Sequence, residues 1–218
     1  MTPGPPPPRR SRATRRADSH TLILDAAVEL LVERGYGGTT TVAIQERAGV
    51  TRGRLLHHFP SRNALVVAAA QHLADEQIVE MERWFEQTTD PDPAGGERVD
   101  HAVTQLWTTF REPYFWAAME LWIAARTDDD LRDQLAVSER RLGRAIHTVV
   151  ATMFGPVHSS HQAFDDVREL LFTSMRGVAL TYSVVARDAE TDPHLMLWRS
   201  TARRMLGVEL ELARNSHY

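Results

Sequence analysis

The sequence predicts an all-α protein with about nine helices. Apolar residues recur at helical spacing through most of the chain, so that they would line one face of each helix. No segment alternates apolar and polar residues as a half-buried strand does, and there is no Asn-Gly hairpin turn. Glycines and prolines interrupt the apolar runs at intervals that suit helices of ordinary length.

Residues 1–17 are expected to form a disordered arm. The first 16 residues contain five prolines and five arginines and almost nothing apolar to bury. They lack the apolar stretch of a signal peptide, and no run in the chain approaches the ~18 apolar residues of a membrane span. We therefore expect a cytoplasmic protein. The absence of cysteine excludes disulfides, thiolate metal sites and cysteine nucleophiles.

The ordered part is expected to begin with a helix that Asp18 or Ser19 caps and that ends at Gly35. Three consecutive threonines at 39–41 then offer caps for a short second helix, which Gly49 ends. A long amphipathic helix follows over residues 63–87, and a loop rich in proline and glycine follows at 90–96. Later helices are predicted at residues 97–111, 113–126, 129–154, 163–189 and 193–213.

The segment from residue 38 to residue 62 predicts two short helices joined by a sharp turn. Gly49 suits the turn because glycine tolerates positive φ, and Thr51 can cap the second helix. On a helical wheel Leu55 faces the core, whereas Gly53, Arg54 and His57 face outward and Arg52 lies on the flank. This arrangement is typical of a helix-turn-helix, whose second helix enters the major groove of DNA. An ordinary pair of packed helices with a basic rim is the structural alternative.

The charge distribution favours a polyanionic partner for the N-terminal part. Residues 1–62 carry ten arginines and five acidic residues, whereas residues 63–218 carry fifteen arginines and twenty-four acidic residues. A basic N-terminal part followed by an acidic remainder suits binding of the N-terminal part to nucleic acid.

Residues 18–77 resemble the DNA-binding domain of the TetR family of transcriptional regulators. The matching segments are Ile-Leu-Asp-Ala-Ala at 23–27, Arg-Gly-Tyr at 34–36, Thr-Thr at 39–40, Ala-Gly-Val at 48–50, and Leu55 with His-His-Phe-Pro-Ser-Arg at 57–62. The resemblance implies a homodimer that binds a double-stranded DNA operator. It also implies that residues 78–218 form a helical domain that binds a small effector and dimerises through its last two helices. We expect a repressor rather than an activator, released by a largely apolar effector.

The pattern and the resemblance together place nine residues at the DNA: Thr40, Thr41, Thr51, Arg52, Gly53, Arg54, His57, His58 and Arg62. In this assignment Thr41 caps the second helix and contacts phosphate, and Arg62 holds a phosphate. Arg52 and Arg54 face the bases, where an arginine can make a bidentate contact to guanine. Leu56 departs from the family, which usually has tyrosine here as a phosphate ligand, so that contact is expected to be absent or moved.

The helical body contains many large aromatic residues, which are either ordinary core or the lining of an effector cavity. Phe115, Met119 and Trp122 lie one turn apart on one predicted helix. Glu120 and Arg176 are charges within apolar runs, where each forms an ion pair, reaches solvent or fixes a polar group of the effector. The candidate effector-binding residues are Trp84, Phe115, Met119, Glu120, Trp122 and Arg176.

The last predicted helix carries the candidate dimer interface. Its apolar residues could form an intersubunit four-helix bundle with the apolar side of residues 167–185, or they could form core within one chain. The candidate interface residues are Leu195, Leu197, Trp198 and Met205.

An enzyme is the alternative of a different class. Asp129, Asp130 and Asp133 match a D-D-x-x-D pattern, which all-α terpenoid synthases use to bind magnesium and diphosphate. Acidic residues in the first turn of a helix also stabilise its dipole, and no convincing second acidic motif follows. We therefore expect no catalysis, no cofactor and no metal site. A helical dimerisation module that has lost DNA binding is a third alternative.

Overall fold

The computed structural model describes residues 12–87, 92, 94–185 and 187–208, without the side chains of residues 12–18, 80 and 84–87. Within these residues the chain forms nine helices and no strand, which confirms the predicted all-α class. They are α1 Arg12–Gly38, α2 Thr41–Ala48, α3 Arg52–His58, α4 Arg62–Gln87, α5 Gly96–Thr109, α6 Pro113–Ala124, α7 Asp129–Ser159, α8 Phe164–Thr181 and α9 Pro193–Met205. None of these helices combines the length and the apolar composition that a membrane crossing needs.

Several helix ends differ from the sequence prediction. Helix α1 begins at Arg12, so residues 12–17 are helical rather than disordered, whereas residues 1–11 lie outside the described part of the chain. Helix α7 continues to Ser159 through a kink at Gly155, where φ is 77°. Helices α8 and α9 end several residues earlier than predicted, at Thr181 and Met205.

The chain divides into two compact units, and their boundary differs from the predicted division at residue 77. The first unit contains the chain up to Leu73 together with Ala117–Ser138, and the second contains Ala74–Trp116 and the chain from Glu139 onward. The end of α6 and the start of α7 join the first unit because their apolar residues pack against α1 and α4. This cluster consists of Leu31, Val66, Val67, Ala117, Leu121, Ala125, Leu131 and Leu135.

A second apolar cluster in the first unit holds the short helices. Ile44 of α2 and Leu55 of α3 are fully buried with residues of α1 and α4, and Phe59, which follows α3, is only 5% exposed. Helix α3 has only seven residues, too few for independent stability. Its orientation is therefore determined by this packing.

In the second unit, α9 packs against both α5 and α8. Trp198 of α9 is 1% exposed and lies against Trp107 of α5, with 4.8 Å between the ring centroids. Its indole nitrogen donates a hydrogen bond to Ser174 of α8. At the other end of the α5–α9 contact, Arg203 makes two hydrogen bonds to Asp100, of 2.7 and 2.6 Å. Polar pairs and aromatic packing thus both fix α9.

Because of this packing, only some of the predicted dimer-interface residues are exposed on α9. Leu195 and Trp198 are buried within the chain, and Met205 is half-buried, so the first two are core residues rather than interface residues. Leu197 is 58% exposed and its neighbour Met196 is 75% exposed. The exposed apolar face of α9 is therefore centred on Met196 and Leu197.

The buried carboxylate of Asp192 stabilises the segment that connects α8 and α9. Asp192 accepts hydrogen bonds from Tyr182 Oη at 2.6 Å and from the His194 amide at 2.8 Å, and its side chain is fully buried. Burial raises the pKa of Asp192, but the hydrogen bonds from Tyr182 and His194 outweigh burial and hold the pKa below its ordinary value of 3.8.

We expect the second unit to lose stability when acid protonates Asp192. Because the folded pKa is depressed, the stabilisation is present above the ordinary aspartate pKa and is lost as the pH falls through the lower folded value. Urea unfolding at a series of pH values measures this dependence. Asp192→Asn should be less stable at neutral pH and should flatten the profile below about pH 4; an unchanged acid limb in this variant would assign the dependence to other groups.

Candidate nucleic-acid interface

Two threonines cap the short helices α2 and α3. Thr40 precedes α2, and its hydroxyl oxygen accepts a hydrogen bond from the Ala43 amide at 3.2 Å. Thr51 caps α3 in the same way by accepting from the Arg54 amide at 3.3 Å. The prediction that Thr41 caps α2 is wrong, because Thr41 is already the first helical residue.

The turn between the two helices depends on Gly49. This residue has φ 65° and ψ 33°, the left-handed conformation that side chains disfavour, and α2 ends there. The turn directs α3 so that Leu55 is fully buried while Arg52, Arg54 and His57 are exposed. Gly53 lies on the same exposed face, and a Cβ added there would have no atom within 4 Å. The exposed face of α3 is therefore basic and open.

Histidines from two helices extend this face. The ring of His58 lies 5.5 Å from that of His57 and 5.6 Å from that of His20 in α1. His20 also packs against Phe59, with 5.1 Å between ring centroids. His20 could not be identified from the sequence, because only the tertiary packing of α1 brings it beside the exposed face of α3.

Comparisons with known proteins agree with this geometry. Residues 23–69 match the family described as bacterial regulatory proteins, tetR family. The N-terminal part of the chain therefore carries a helix-turn-helix that is similar to that of the tetR family. It is similar to the HTH-type transcriptional regulator CymR of Pseudomonas putida, with 29% identity over 187 residues that cover 84% of this chain and 88% of CymR. An uncharacterised HTH-type transcriptional regulator of Mycobacterium tuberculosis is 25% identical over 176 residues, covering 81% of this chain and 88% of that protein.

Solved structures share the fold at lower sequence identity. FadR from Bacillus subtilis, in complex with stearoyl-CoA, has a TM-score of 0.57 at 14% identity and covers 88% of this chain and 100% of its own. The multidrug binding protein EbrR, complexed with imidazole, has a TM-score of 0.59 at 18% identity and covers 93% of this chain and 97% of its own. The match over residues 23–69 and the relatives named as HTH-type transcriptional regulators identify the chain as a DNA-binding transcription regulator of the helix-turn-helix type rather than an enzyme.

Arg62 makes several contacts within the chain that its sequence position does not reveal. Its Nε donates to the Thr39 carbonyl oxygen at 2.8 Å, another guanidinium nitrogen donates to the Tyr36 carbonyl oxygen, and the guanidinium lies 4.0 Å from the Tyr36 ring centroid. Because these contacts join the start of α4 to the segment that leads into α2, Arg62 orients the helix-turn-helix from within. Contact of Arg62 with a DNA phosphate stays a prediction, which its remaining guanidinium donors could serve.

The turn at Gly35, near the end of α1, is also held by residues of α4 and α6 and by Asp128, which precedes α7; all lie within the first unit. Gly35 has φ 65°, and the next amide, that of Tyr36, donates to Glu120 Oε2 at 2.9 Å. The hydroxyl oxygen of Tyr36 lies 3.0 Å from Asn63 Oδ1 and 3.3 Å from Asp128 Oδ2. Glu120 is therefore an exposed acceptor for a backbone amide, rather than a charge buried in the apolar run.

The carboxylates at the start of α7 form hydrogen bonds and ion pairs with neighbouring residues of the chain. Asp128 accepts from the Leu131 amide at 2.9 Å, which is the main reason why its pKa lies below the ordinary value. Asp129 pairs with Arg132 at 2.8 Å, and Asp130 accepts from Asn63 at 2.8 Å. Among the described residues no group of three or more potential ligands could hold a metal ion. Capping and ion pairing account for the pattern that suggested magnesium binding.

The other candidate effector-binding residues have different degrees of burial. Phe115 and Met119 are each 6% exposed, and Phe115 packs against the rings of Phe110 and Trp116. Trp122 and Arg176 are half-buried. The side chain of Trp84 lies outside the described part of the chain.

Proposed function

We propose that this protein is a homodimeric transcriptional repressor that binds a double-stranded DNA operator through the exposed face of α3. A small, largely apolar effector releases it from the operator, and the protein works in the cytoplasm, where bacterial DNA is. The observation that carries the proposal is the basic, open face of α3, on which Arg52, Arg54 and His57 surround an exposed Gly53 above the buried Leu55.

The exposed residues of this face suit two kinds of DNA contact. Arg52 and Arg54 can reach guanine in the major groove, because Gly53 between them lets the groove approach the helix backbone. Thr40 and Thr51 use only an acceptor lone pair in capping, so each hydroxyl proton remains able to bond a phosphate. Thr41, His57 and His58 lie beside these groups, and Arg62 supports the motif through the carbonyls of Thr39 and Tyr36.

The exposed apolar residues of α8 and α9 support the homodimer. One face of α8 carries the exposed residues Leu170 and Leu180, and Val184 follows just beyond the helix end. Gly177 lies between them, and a Cβ added there would have no atom within 4 Å. On α9 the exposed residues are Met196 and Leu197, and the two helices pack together. Two such helices from each copy would form a four-helix interface that buries these side chains.

The proposed effector is a small molecule that binds the helical part of the chain beyond the helix-turn-helix. Two proteins with this fold have been solved in complex with a small molecule, FadR with stearoyl-CoA and EbrR with imidazole. An effector acts as an inducer only if it binds the conformation that cannot bind DNA more tightly than the one that can. Screening apolar compounds for an increase in the melting temperature of the protein, followed by release of operator DNA, tests this step.

Arg54→Ala is expected to weaken binding to the operator by about 1–3 kcal/mol and to relax the base preference at one position in each half-site. The reason is the loss of a bidentate contact to a base, which no phosphate contact replaces. Fluorescence anisotropy with the duplex upstream of the protein's own gene measures the affinity, and single base-pair changes in that duplex measure the preference.

Arg132→Ala is a matched control for this experiment. Arg132 is an exposed arginine of the same unit, and it pairs with Asp129 on α7 rather than lying on α3. Its removal should leave both affinity and preference unchanged. Equal behaviour of the two variants would show that α3 is not the recognition helix.

A further inference from the structure

We infer that Leu56 reads the methyl group of a thymine in each operator half-site. This inference rests on the proposed DNA-binding face of α3 and adds to it a base-specific apolar contact. Leu56 is 45% exposed in the free protein, whereas its neighbour Leu55 is fully buried and anchors the helix. The two consecutive leucines therefore have opposite environments, and only the second is available to a ligand.

The position of Leu56 on the helix places it beside the open part of the face. It follows Gly53 by three residues and Arg52 by four, and residues at these spacings are neighbours on a helix surface. Because a Cβ at Gly53 would meet no atom within 4 Å, DNA can approach the backbone there until it reaches the next bulky side chain. On this side of α3 that side chain is Leu56.

The chemistry of Leu56 determines what it can recognise in the groove. An isobutyl group cannot donate a hydrogen bond, so Leu56 cannot serve as a phosphate ligand. The only apolar group that the major groove presents is the C5 methyl of thymine. The neighbouring Arg52, Arg54 and His57 are polar and suit guanine and phosphate. Leu56 is therefore the residue on the exposed face of α3 that suits an apolar contact with a base.

The test replaces thymine by uracil, which removes the methyl group and leaves every hydrogen-bonding group in place. A duplex pool with a randomised centre is first selected with the full-length protein to obtain a bound site. Each dT in that site is then changed to dU, one position at a time and at both symmetry-related positions together. We expect one position at which dU in one half-site weakens binding about fourfold, the value for one lost apolar methyl contact. With dU at both symmetry-related positions two such contacts are lost, and binding should weaken about fifteenfold.

A double-mutant cycle assigns the contact to Leu56. Leu56→Ala should bind the dT and dU duplexes equally, while Ile123→Ala, which truncates an exposed apolar residue of α6 in the same unit, should keep the wild-type sensitivity. Circular dichroism of Leu56→Ala should match that of the wild type, because Leu56 is not part of the buried cluster that holds α3.

Three results would overturn the inference. The first is a selected site without thymine in its half-sites, and the second is an absence of dU sensitivity at every position. The third is a dU sensitivity that Leu56→Ala retains in full. Failure of the selection to enrich any sequence would be a different outcome, since it would overturn the proposed DNA-binding face together with this contact.

Discussion

Replacing both Met196 and Leu197 by glutamate is expected to give a folded monomer that binds operator DNA about 10²–10⁴-fold more weakly than the wild type. Both side chains are exposed in the single chain, so the charges cost little in the monomer, but they would be unpaired in an apolar interface between two copies. The affinity falls because the two half-sites of an operator must be bound together by linked recognition helices.

Sedimentation equilibrium measures the assembly, and anisotropy titration measures the affinity. Val137→Glu is the control: Val137 is 64% exposed on α7 in the first unit, and a charge there should leave the assembly and the affinity unchanged. An intact dimer in the double variant would show that the copies associate through a different surface.

Trp198→Ala is expected to lower the free energy of unfolding by about 3–5 kcal/mol, the usual range for removing a large aromatic side chain from a core. Trp198 is almost fully buried against Trp107, and its indole nitrogen donates to Ser174 at 2.9 Å. The substitution leaves a cavity between α5, α8 and α9 and an unsatisfied hydroxyl oxygen. Urea denaturation followed by circular dichroism and by tryptophan fluorescence measures the loss.

The adjacent exposed residue on the same helix provides the comparison. Met196→Ala removes a side chain that is 75% exposed, and its effect on the free energy of unfolding should be below about 0.5 kcal/mol. If Trp198→Ala were as stable as Met196→Ala but failed to dimerise, Trp198 would belong to the interface after all.

The helix-turn-helix could be predicted from the sequence because its signals are local. Gly49 can adopt the left-handed turn, Thr51 can cap the following helix, and Leu55 lies at the spacing that faces inward. The choice among three consecutive threonines could not be predicted in this way, because each of them can cap a helix. Thr40 is the cap since it is the last residue with extended backbone, with φ −92° and ψ 155°.

Contacts between distant segments could not be read from periodicity. The apolar pattern of α9 contains Leu195, Leu197 and Trp198, but it does not say which of them faces α5 and which remains exposed. Glu120 lies in an apolar run, yet it is exposed and accepts from an amide 84 residues earlier in the chain. The resemblance predicts a phosphate contact for Arg62, but it does not predict that Arg62 donates to the carbonyls of Tyr36 and Thr39.

The membership of Ala117–Ser138 in the first unit has a consequence for how such regulators can be recombined. A crossover near Leu73 would separate the N-terminal helices from the segment that covers Leu31, Val66 and Val67. A chimera made with that single joint would retain its recognition helix but present mismatched or uncovered apolar surface, which favours aggregation. Exchange of DNA specificity between relatives therefore requires either two joints that bring the later segment along, or grafting of the exposed residues of α3 alone.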